Sequence, residues 1–424
     1  MEDLQFTLLF NLPENCLYWN FIYLSSRQNK EMEVHHLKLL KYFMIFTGHW
    51  NFRETNSIFI QFYTKFRRIF LVHYLLMTQL MLITIPMVWP CKERVVDLFC
   101  LYIQYVNVGI MVMILVKSPK IQKSLDCILS YEELNLKKED VGTRQLYLKY
   151  ANLNSRVVIL IFTLISSVGA FWYITGIRNT FSIEESVECP LMKGILYQVW
   201  YPFDVKKYHW LVFINDLVLL FNALNITVYC KVMIVSMMIF MLSQIKILQF
   251  LLTSIGKRSL ENPEMDESIE VNVVISFVER HQQILKLIDL LKSAVEEIIL
   301  IQYFSSTSEI AAYLIQTITS RSAFDVLRNC AALSMLVSEV FILFWFANET
   351  KIQSEAISDI IYNELPWYTY KRHVNMVLKL MMRRSQRAMS FKAIFLGEIC
   401  LDTFTKLMKL CYSVVTCFSS LMDI

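Results

Sequence analysis

The final stretch of the chain, residues 390–424, most constrains what the chain can fold into. From Ile399 onward it contains no Pro or Gly, and it is about long enough to cross a bilayer as one apolar helix. Its polar residues recur at spacings of 4, 3, 4, 3, 4 and 3 positions, the period of one helix face. They are Asp402, Lys406, Lys409, Ser413, Thr416, Ser420 and Asp423. Within a membrane, such a stripe faces either a water-filled pathway or a packed interface of small polar residues. Two of the seven are Lys, which favours water, and the packed interface stays open.

The composition is that of an integral membrane protein. Of its 424 residues, 55% are hydrophobic and only 18% are charged, against about 25% charged in soluble domains. Gly and Pro number 8 each, which indicates long, unbroken helices. The sequence therefore predicts an all-α membrane protein without a nucleic-acid partner, and with membrane lipid around it.

Seven apolar segments predict seven membrane spans, and the basic residues between them predict an orientation. The spans cover residues 66–89, 95–116, 157–177, 210–233, 298–318, 326–346 and 399–421. The N-terminal region with the start of span 1 holds eight Lys and Arg, and the connection between spans 2 and 3 holds eight. The end of span 4 with the connection to span 5 holds seven, and the connection between spans 6 and 7 holds eight, whereas the intervening connections hold two, four and one. Because cytoplasmic loops carry the excess of positive charge, the N-terminus is predicted inside and the C-terminus outside.

The sequence contains no pattern typical of an enzyme or of a metal or cofactor site. It has no GxGxxG, Walker A, HExxH, GxSxG or CxxC motif, and its seven His residues show no metal-ligand spacing. Catalysis, cofactors and metal ligands are therefore not expected. Glu309 and Lys406 are ionisable residues within spans, which marks them for function. Cys91 and Cys189 both lie on the predicted outer side, and whether they pair is left open.

The outer halves of spans 2, 3, 4 and 6 combine aromatic rings with small and hydroxylic residues. Aromatic walls with a gap beside Gly and one or two hydroxyls suit a small apolar ligand, although close helix packing uses the same residues. Ser166, Gly169 and Tyr173 share one face of span 3 at i, i+3 and i+7. As a cluster we interpret these residues as a ligand pocket. Its members are Tyr102, Tyr105, Ser166, Gly169, Trp172, Tyr173, Phe213, Cys330 and Ser334.

Motifs in the C-terminal fifth resemble those of insect odorant receptors. They are FWFANE at 344–349, NELPWY at 363–368, MMRRSQR at 381–387 and LDTFTKLMKLCYSVVT at 401–416, with WYPFD at 200–204 in the second outer loop. The length, the seven spans and the orientation are similar as well. Ala347 stands where the family usually has Gly, and residues 390–397 lack the family's Gly-Pro approach to the last helix. The chain is similar to a tuning subunit and not to the coreceptor.

This resemblance implies an odorant-gated, non-selective cation channel subunit in the plasma membrane of a sensory dendrite. Such a subunit binds a small apolar volatile ligand and forms a heterotetramer with coreceptor subunits around a pore lined by the last helix. Ser420 and Ile424 would then lie at the gate and Asp423 at the outer filter. The implied pore residues are Ser413, Thr416, Ser420, Asp423 and Ile424.

The expected organisation has six parts along the chain. They are a cytoplasmic N-terminal region (1–64), spans 1–4 with the ligand pocket (65–240), a cytoplasmic helical loop (241–297), spans 5–6 (298–348), cytoplasmic anchor helices (349–397) and the pore-lining span 7 (398–424). The alternative is a seven-helix chemoreceptor, either of gustatory type or signalling through a cytoplasmic partner. The predicted orientation is opposite to that of a G-protein-coupled receptor.

Overall fold

The computed structural model describes residues 35–47, 58–88, 92–137, 140–181, 199–203, 207–261, 267–320, 322–368, 370–393 and 396–422. Within these ranges the protein is almost entirely helical, as predicted. The helices are α1 (Lys38–Thr47), α2 (Ile58–Val88), α3 (Lys92–Lys117), α4 (Pro119–Lys137), α5 (Val141–Phe181), α6 (His209–Glu261), α7 (Glu267–Thr319), α8 (Ala323–Glu364), α9 (Arg372–Ser385) and α10 (Leu401–Met422). Two short antiparallel strands, β1 (Lys392–Ala393) and β2 (Gly397–Glu398), join α9 to α10.

Each of the seven predicted spans overlaps one helix, namely α2, α3, α5, α6, α7, α8 and α10. Residue 89 of span 1 lies outside the described residues, and residues 399–400 of span 7 precede α10. Four single helices of the described chain are long and apolar enough to cross a membrane: Lys65–Met87, Val141–Ile174, His209–Lys257 and Ala323–Glu364. A fifth candidate is the bent pair Leu101–Lys117 and Pro119–Leu136, with 65° between its halves. The bend falls at Pro119, whose ring disfavours helical geometry in the preceding residue and which is well suited to begin a helix.

Helix α6 forms the centre of the bundle. In its most apolar window 94% of the residues are buried, against 28% in the corresponding windows of α2 and α5. It contacts α1, α2, α3, α5, α7 and α8. A helix that is apolar on all faces is suited to a protein core or to lipid, and in α6 the chain itself buries residues 228–244 without exception.

The polar residues within the fifth predicted span do not interrupt its helix. Helix α7 continues through them because their side chains bond within the same helix. The Thr307 hydroxyl donates to the Tyr303 carbonyl oxygen at 2.8 Å, and the Ser308 hydroxyl donates to that of Ser305 at 2.8 Å.

Away from the predicted spans, α9 packs against α7 and α8, and β1 packs against α7. Val374, Leu378 and Met381 recur at helical spacing and form the buried face of α9 against α7 and α8. Gly397 has a φ of +75°, which a side chain would strain, and it begins β2. Lys351 Nζ of α8 lies 2.8 Å from Glu398 Oε2 of β2, so an ion pair attaches the hairpin to the bundle.

The N-terminal described segment is fixed to α4, α5 and α6 by a set of buried polar contacts. Glu132 Oε1 accepts hydrogen bonds from the backbone N–H groups of His35 at 2.6 Å and His36 at 2.9 Å. Asn154 donates to the His36 carbonyl at 2.7 Å, and His36 Nε2 donates to the Ser236 carbonyl at 3.0 Å. Burial lowers the pKa of His36 to about 4, while the Ser236 carbonyl acts in the opposite direction.

Candidate functional site

The predicted pocket face of α5 packs directly on α6. Gly169 is buried, and a Cβ atom placed there would lie 2.8 Å from Leu224 Cδ1 of α6. The space beside this glycine is therefore filled by a leucine side chain. Ser166 and Tyr173, on the same face, are each half-buried. Close helix packing thus accounts for Gly169 in this structure, while the ligand role of the three residues stays a prediction.

The two predicted pocket tyrosines of α3 differ in their surroundings. Tyr105 is buried and its ring stacks on that of Tyr74 of α2, with centroids 5.1 Å apart and planes at 10°. The Tyr74 hydroxyl donates to the Tyr105 carbonyl at 2.9 Å. Tyr102 is half-buried against the core. The Tyr74–Tyr105 pair fixes the contact between α2 and α3.

The remaining predicted pocket residues lie towards the C-terminal end of α5 and near the N-terminal ends of α6 and α8. The Trp172 ring carries the Arg328 guanidinium at 4.9 Å from its centroid, an arrangement typical of a cation–π contact. Phe213 packs edge-to-face on Trp210. Cys330 and Ser334, by contrast, occupy an exposed face of α8. The structure thus joins α5 to α8 through Trp172, whereas these two α8 side chains point away from the chain's own core.

A polar network not predicted from the sequence joins residues 199–203, between α5 and α6, to α6 and α2. The Tyr201 hydroxyl donates to Asp216 Oδ1 at 2.9 Å and accepts from Asn215 Nδ2 at 3.0 Å. Asn215 Oδ1 lies 2.9 Å from His73 Nε2. The Trp200 backbone N–H donates to the Thr84 hydroxyl at 2.7 Å. The first residues of the WYPFD run therefore attach this loop to the bundle; Asp204 lies outside the described residues.

Helix α10 has a buried seam and an exposed polar face. Thr403, Leu407, Cys411 and Val415 are buried at intervals of four residues, and the Cys411 thiol donates to the Thr307 carbonyl of α7 at 3.6 Å. The predicted pore residues Ser413, Thr416 and Ser420 are exposed, as are the stripe residues Asp402, Lys406 and Lys409. The polar stripe therefore faces away from the rest of the chain. Asp423 and Ile424 lie outside the described residues.

The hydroxyls of the exposed face bond to carbonyls of their own helix. Ser413 donates to Lys409 at 3.0 Å, Thr416 donates to Ser413 at 3.0 Å, and Ser420 donates to Cys417 at 2.8 Å. Each oxygen keeps lone pairs for water or a cation. Near the start of α10, Lys406 Nζ lies 3.9 Å from Asp402 Oδ2, with both side chains exposed. This pair offsets one positive charge of the stripe.

A buried ion pair between α6 and α8 was missed by the sequence prediction. Lys231 Nζ lies 3.2 Å from Glu339 Oε2, and these side chains are only 10% and 4% exposed. Glu309 of α7, which was marked for function, is also buried and bonds to the Ser305 hydroxyl. Lys231 lies at the end of the predicted span 210–233, and the orientation count includes it with the basic residues of the following connection. The signal for the pair was a single carboxylate, Glu339, inside an apolar segment.

Within the described ranges, no three His, Cys, Asp or Glu side chains come together as a metal site. This observation concerns those residues alone. The geometry on α10 is instead that of a helix with one face held by its own chain and a polar face left for water, lipid or another subunit.

Comparison with known proteins identifies related sequences. A family model described as 7tm odorant receptor matches residues 92–412. The chain is 29% identical to Odorant receptor Or2 of Anopheles gambiae over 136 residues, which make up 32% of this chain and 36% of that protein. It is 24% identical to Odorant receptor 10 of Aedes albopictus over 231 residues, 53% of this chain and 60% of that protein. Each alignment covers less than two thirds of the relative.

The fold is similar to solved structures of insect olfactory receptor OR5 from Machilis hrabei. The TM-score is 0.70 at 14% identity, covering 90% of this chain and 97% of that one. For the same receptor in complex with eugenol the TM-score is 0.72 at 14% identity, with coverage of 91% and 99%. At this identity the similarity establishes the shared fold. Because the family model spans well over half of the 424 residues, the chain belongs to the 7tm odorant receptor family and is an insect odorant receptor.

Proposed function

We propose that this receptor is the odorant-binding subunit of a non-selective cation channel. It assembles with coreceptor subunits in a heterotetramer, in the plasma membrane of a sensory neuron dendrite. Seven spans carry the N-terminus inside and the C-terminus outside, and the last of them lines the pore.

The observation that carries the proposal is the division of α10 into two faces. Its seam at Leu407 and Cys411 packs on the chain's own helices, while Ser413, Thr416 and Ser420 are directed outward. In a lipid-facing helix, hydroxyls and lysines on the outward face are costly, whereas apolar residues are favoured. Subunits arranged around an axis would give these side chains water, and a ring of hydroxyl oxygens is a suitable lining for hydrated cations.

The proposed ligand site lies among the outer halves of α3, α5, α6 and α8. The related receptor OR5 of Machilis hrabei has been solved in complex with eugenol, a small aromatic molecule, in the same fold. In this chain the half-buried side chains Tyr102, Ser166, Trp172 and Tyr173 provide aromatic surface and a hydroxyl. They suit an apolar ligand that also forms one or two hydrogen bonds.

Current recording tests the proposal. Cells expressing the full chain with an insect coreceptor should give odorant-evoked currents that reverse near zero potential. Cells expressing the chain without the coreceptor should give none. Currents that arise without the coreceptor and depend on a cytoplasmic G protein would support the alternative chemoreceptor and contradict the channel subunit.

Variants of α5 then test the ligand site in the same recordings. Ser166→Ala and Tyr173→Ala should shift the odorant concentration for half-maximal current by about tenfold or more, the equivalent of roughly 1.4 kcal/mol. Ile159→Ala is the matched control, because Ile159 is an exposed residue of the same helix. If the odorant concentration for half-maximal current is unchanged in both variants, these α5 residues do not form the ligand site.

A further inference from the structure

A groove separate from the predicted odorant pocket runs between α2, α3 and α7. Its volume is about 650 Å³ and its walls are mostly apolar, with Leu75 of α2 and Ile110 and Met113 of α3 among them. It shares only Tyr105 with the predicted pocket. Its polar lining residues include Lys117 and Ser118, at the bend between α3 and α4. Glu297 of α7 lines the same groove.

The length of the groove matches one leaflet of a bilayer. From Tyr105 to Lys117, α3 rises about 18 Å at 1.5 Å per residue. Half of the hydrocarbon thickness of a membrane is about 15 Å. The polar end carries Lys117 at the end of span 2, next to one of the lysine-rich connections predicted to be cytoplasmic. The groove therefore has the dimensions of an acyl chain lying in the cytoplasmic leaflet.

The polar end presents one cation and one anion to the same space. Lys117 and Glu297 are both exposed, and among the described residues neither belongs to an ion pair. Ser118 adds a hydroxyl beside them. A charge pair left open in this way is complementary to a group that carries a phosphate next to a primary ammonium.

We propose that this groove binds an aminophospholipid of the cytoplasmic leaflet. One acyl chain lies along α3 against Ile110 and Met113. The phosphodiester contacts Lys117 and the Ser118 hydroxyl, and the primary ammonium contacts the Glu297 carboxylate. Phosphatidylethanolamine and phosphatidylserine share this chemistry. Because the groove also contacts Tyr105, whose ring stacks on Tyr74, the bound lipid supports the contact between α2 and α3.

Native mass spectrometry of the purified full-length chain tests the assignment. The chain is titrated with phosphatidylethanolamine, phosphatidylcholine and phosphatidic acid of the same acyl composition. Phosphatidylethanolamine should bind most tightly, because the choline group cannot donate a hydrogen bond to Glu297 and phosphatidic acid has no ammonium. Glycerophosphoethanolamine, the headgroup without acyl chains, should not displace it. Displacement at equal concentration would show that the apolar groove plays no part.

Substitutions locate the lipid. Lys117→Gln should weaken binding of phosphatidylethanolamine and phosphatidic acid about fivefold each, the effect of one basic residue near a phosphate. Glu297→Gln should weaken binding of phosphatidylethanolamine only. Ile110→Trp should weaken binding of both lipids, because the larger ring fills the groove. Ile110 is 45% exposed, so a larger ring there leaves the core intact. Lys123→Gln, exposed on α4 outside the groove, is the control and should change nothing.

Three results would overturn the proposal. The first is equal binding of phosphatidylcholine and phosphatidylethanolamine, unaffected by Glu297→Gln, which is the behaviour of ordinary surrounding lipid. The second is unchanged binding in Ile110→Trp, which would locate the lipid elsewhere. The third is retention of the lipid by the isolated chain but not by its complex with the coreceptor, since a neighbouring subunit would then cover the groove.

Discussion

Gly169 and Leu224 form a close helix contact in the predicted pocket region, and their coupling can be measured. A Cβ at Gly169 would lie 2.8 Å from both methyl carbons of Leu224, so Gly169→Ala forces that side chain to rotate. We expect Gly169→Ala to destabilise the receptor by about 1–3 kcal/mol and Leu224→Ala by about 2–5 kcal/mol. The double variant should lose less than the sum of the two, because the new methyl occupies space that Leu224 vacates.

Thermal unfolding of detergent-purified variants provides the measurement for this pair. Ser166→Ala, half-buried on the same face of α5, is the control and should shift the midpoint little. Losses that simply add would show that the two residues do not share the space.

His36 gives the chain a pH dependence outside the membrane. Its pKa is lowered from 6.5 to about 4 by burial, beside Glu132 and Tyr147. A lowered pKa means that the unfolded state takes up the proton first. The contribution of the neutral His36 ring to the free energy of unfolding is therefore complete above pH 6.5, and it is lost as the pH falls towards 4. The loss amounts to about 1.4 kcal/mol per pH unit within this window.

Thermal unfolding at pH 7.5 and at pH 5 tests this effect. The wild-type receptor should be clearly less stable at the lower pH. His36→Gln should lose stability at pH 7.5 yet show a smaller difference between the two pH values. His373→Gln is the control, because His373 is an exposed residue of α9. An equal pH response in wild type and His36→Gln would exclude the residue as the source.

At the scale of elements, the exposure of α10 residues in a single chain does not distinguish side chains that face a pore from side chains that face lipid. Val414 is 42% exposed and Tyr412 is 69% exposed, although both are off the polar stripe. In a tetramer, water should reach Ser413 and Thr416, while lipid or a neighbouring subunit covers Val414. Cysteines at Ser413 and Thr416 should then react quickly with a charged thiol reagent in the open channel. A cysteine at Val414 should react slowly.

The native thiols are removed first for this experiment. Cys411 is buried and Cys417 is exposed, so both are changed to Ser and the background reaction is recorded. The readout is the rate at which the reagent alters odorant-evoked current. Fast reaction at Val414 together with none at Thr416 would assign the pore to another face. In the same channels Asp423→Lys should lower the ratio of cation to anion permeability.

The buried pair Lys231–Glu339 joins α6 to α8 and is sensitive to the loss of either partner. Lys231→Met leaves the Glu339 carboxylate buried without its cation, and we expect the free energy of unfolding to fall by about 3–5 kcal/mol. The double change Lys231→Met and Glu339→Met should restore part of the stability, because the Glu339 charge is removed together with its cation. Lys257→Met, at an exposed position of the same α6, serves as control. A double variant no more stable than the single ones would show that the pair does not act as a unit.

The contrast between α10 and this pair explains what a sequence can reveal about such a protein. The stripe of α10 and the length of α6 are local, since period and apolarity within one segment determine them. The contact of Gly169 with Leu224, and that of Lys231 with Glu339, depends on how one helix is rotated and shifted against another. That register follows from side-chain packing over the whole bundle, so the sequence identified candidate residues on α5 without their neighbours.

At the scale of the whole molecule, packing shows which chain segments lie on the same side of the bundle. His36 contacts Ser236, which lies just beyond the predicted end of span 4, and α1 packs on α6. The N-terminal segment is therefore on the side of the bundle where α6 continues beyond its span. The hairpin at Glu398 is fixed there too, through Lys351 after span 6. The start of α1 and the start of α10 thus share one side.

We therefore expect an epitope tag before Met1 to be stained only after permeabilisation and a tag after Ile424 to be stained in intact cells. Helix α10 begins on the shared side and has the length of a single span, so its end is expected on the opposite side. The lysine-rich connections predict that the shared side is cytoplasmic, since positive charge is retained inside. Separate cells carrying each tag, with a plasma-membrane marker, provide the measurement. Staining of both tags in intact cells would contradict the single crossing of α10, and staining of the N-terminal tag alone would reverse the orientation.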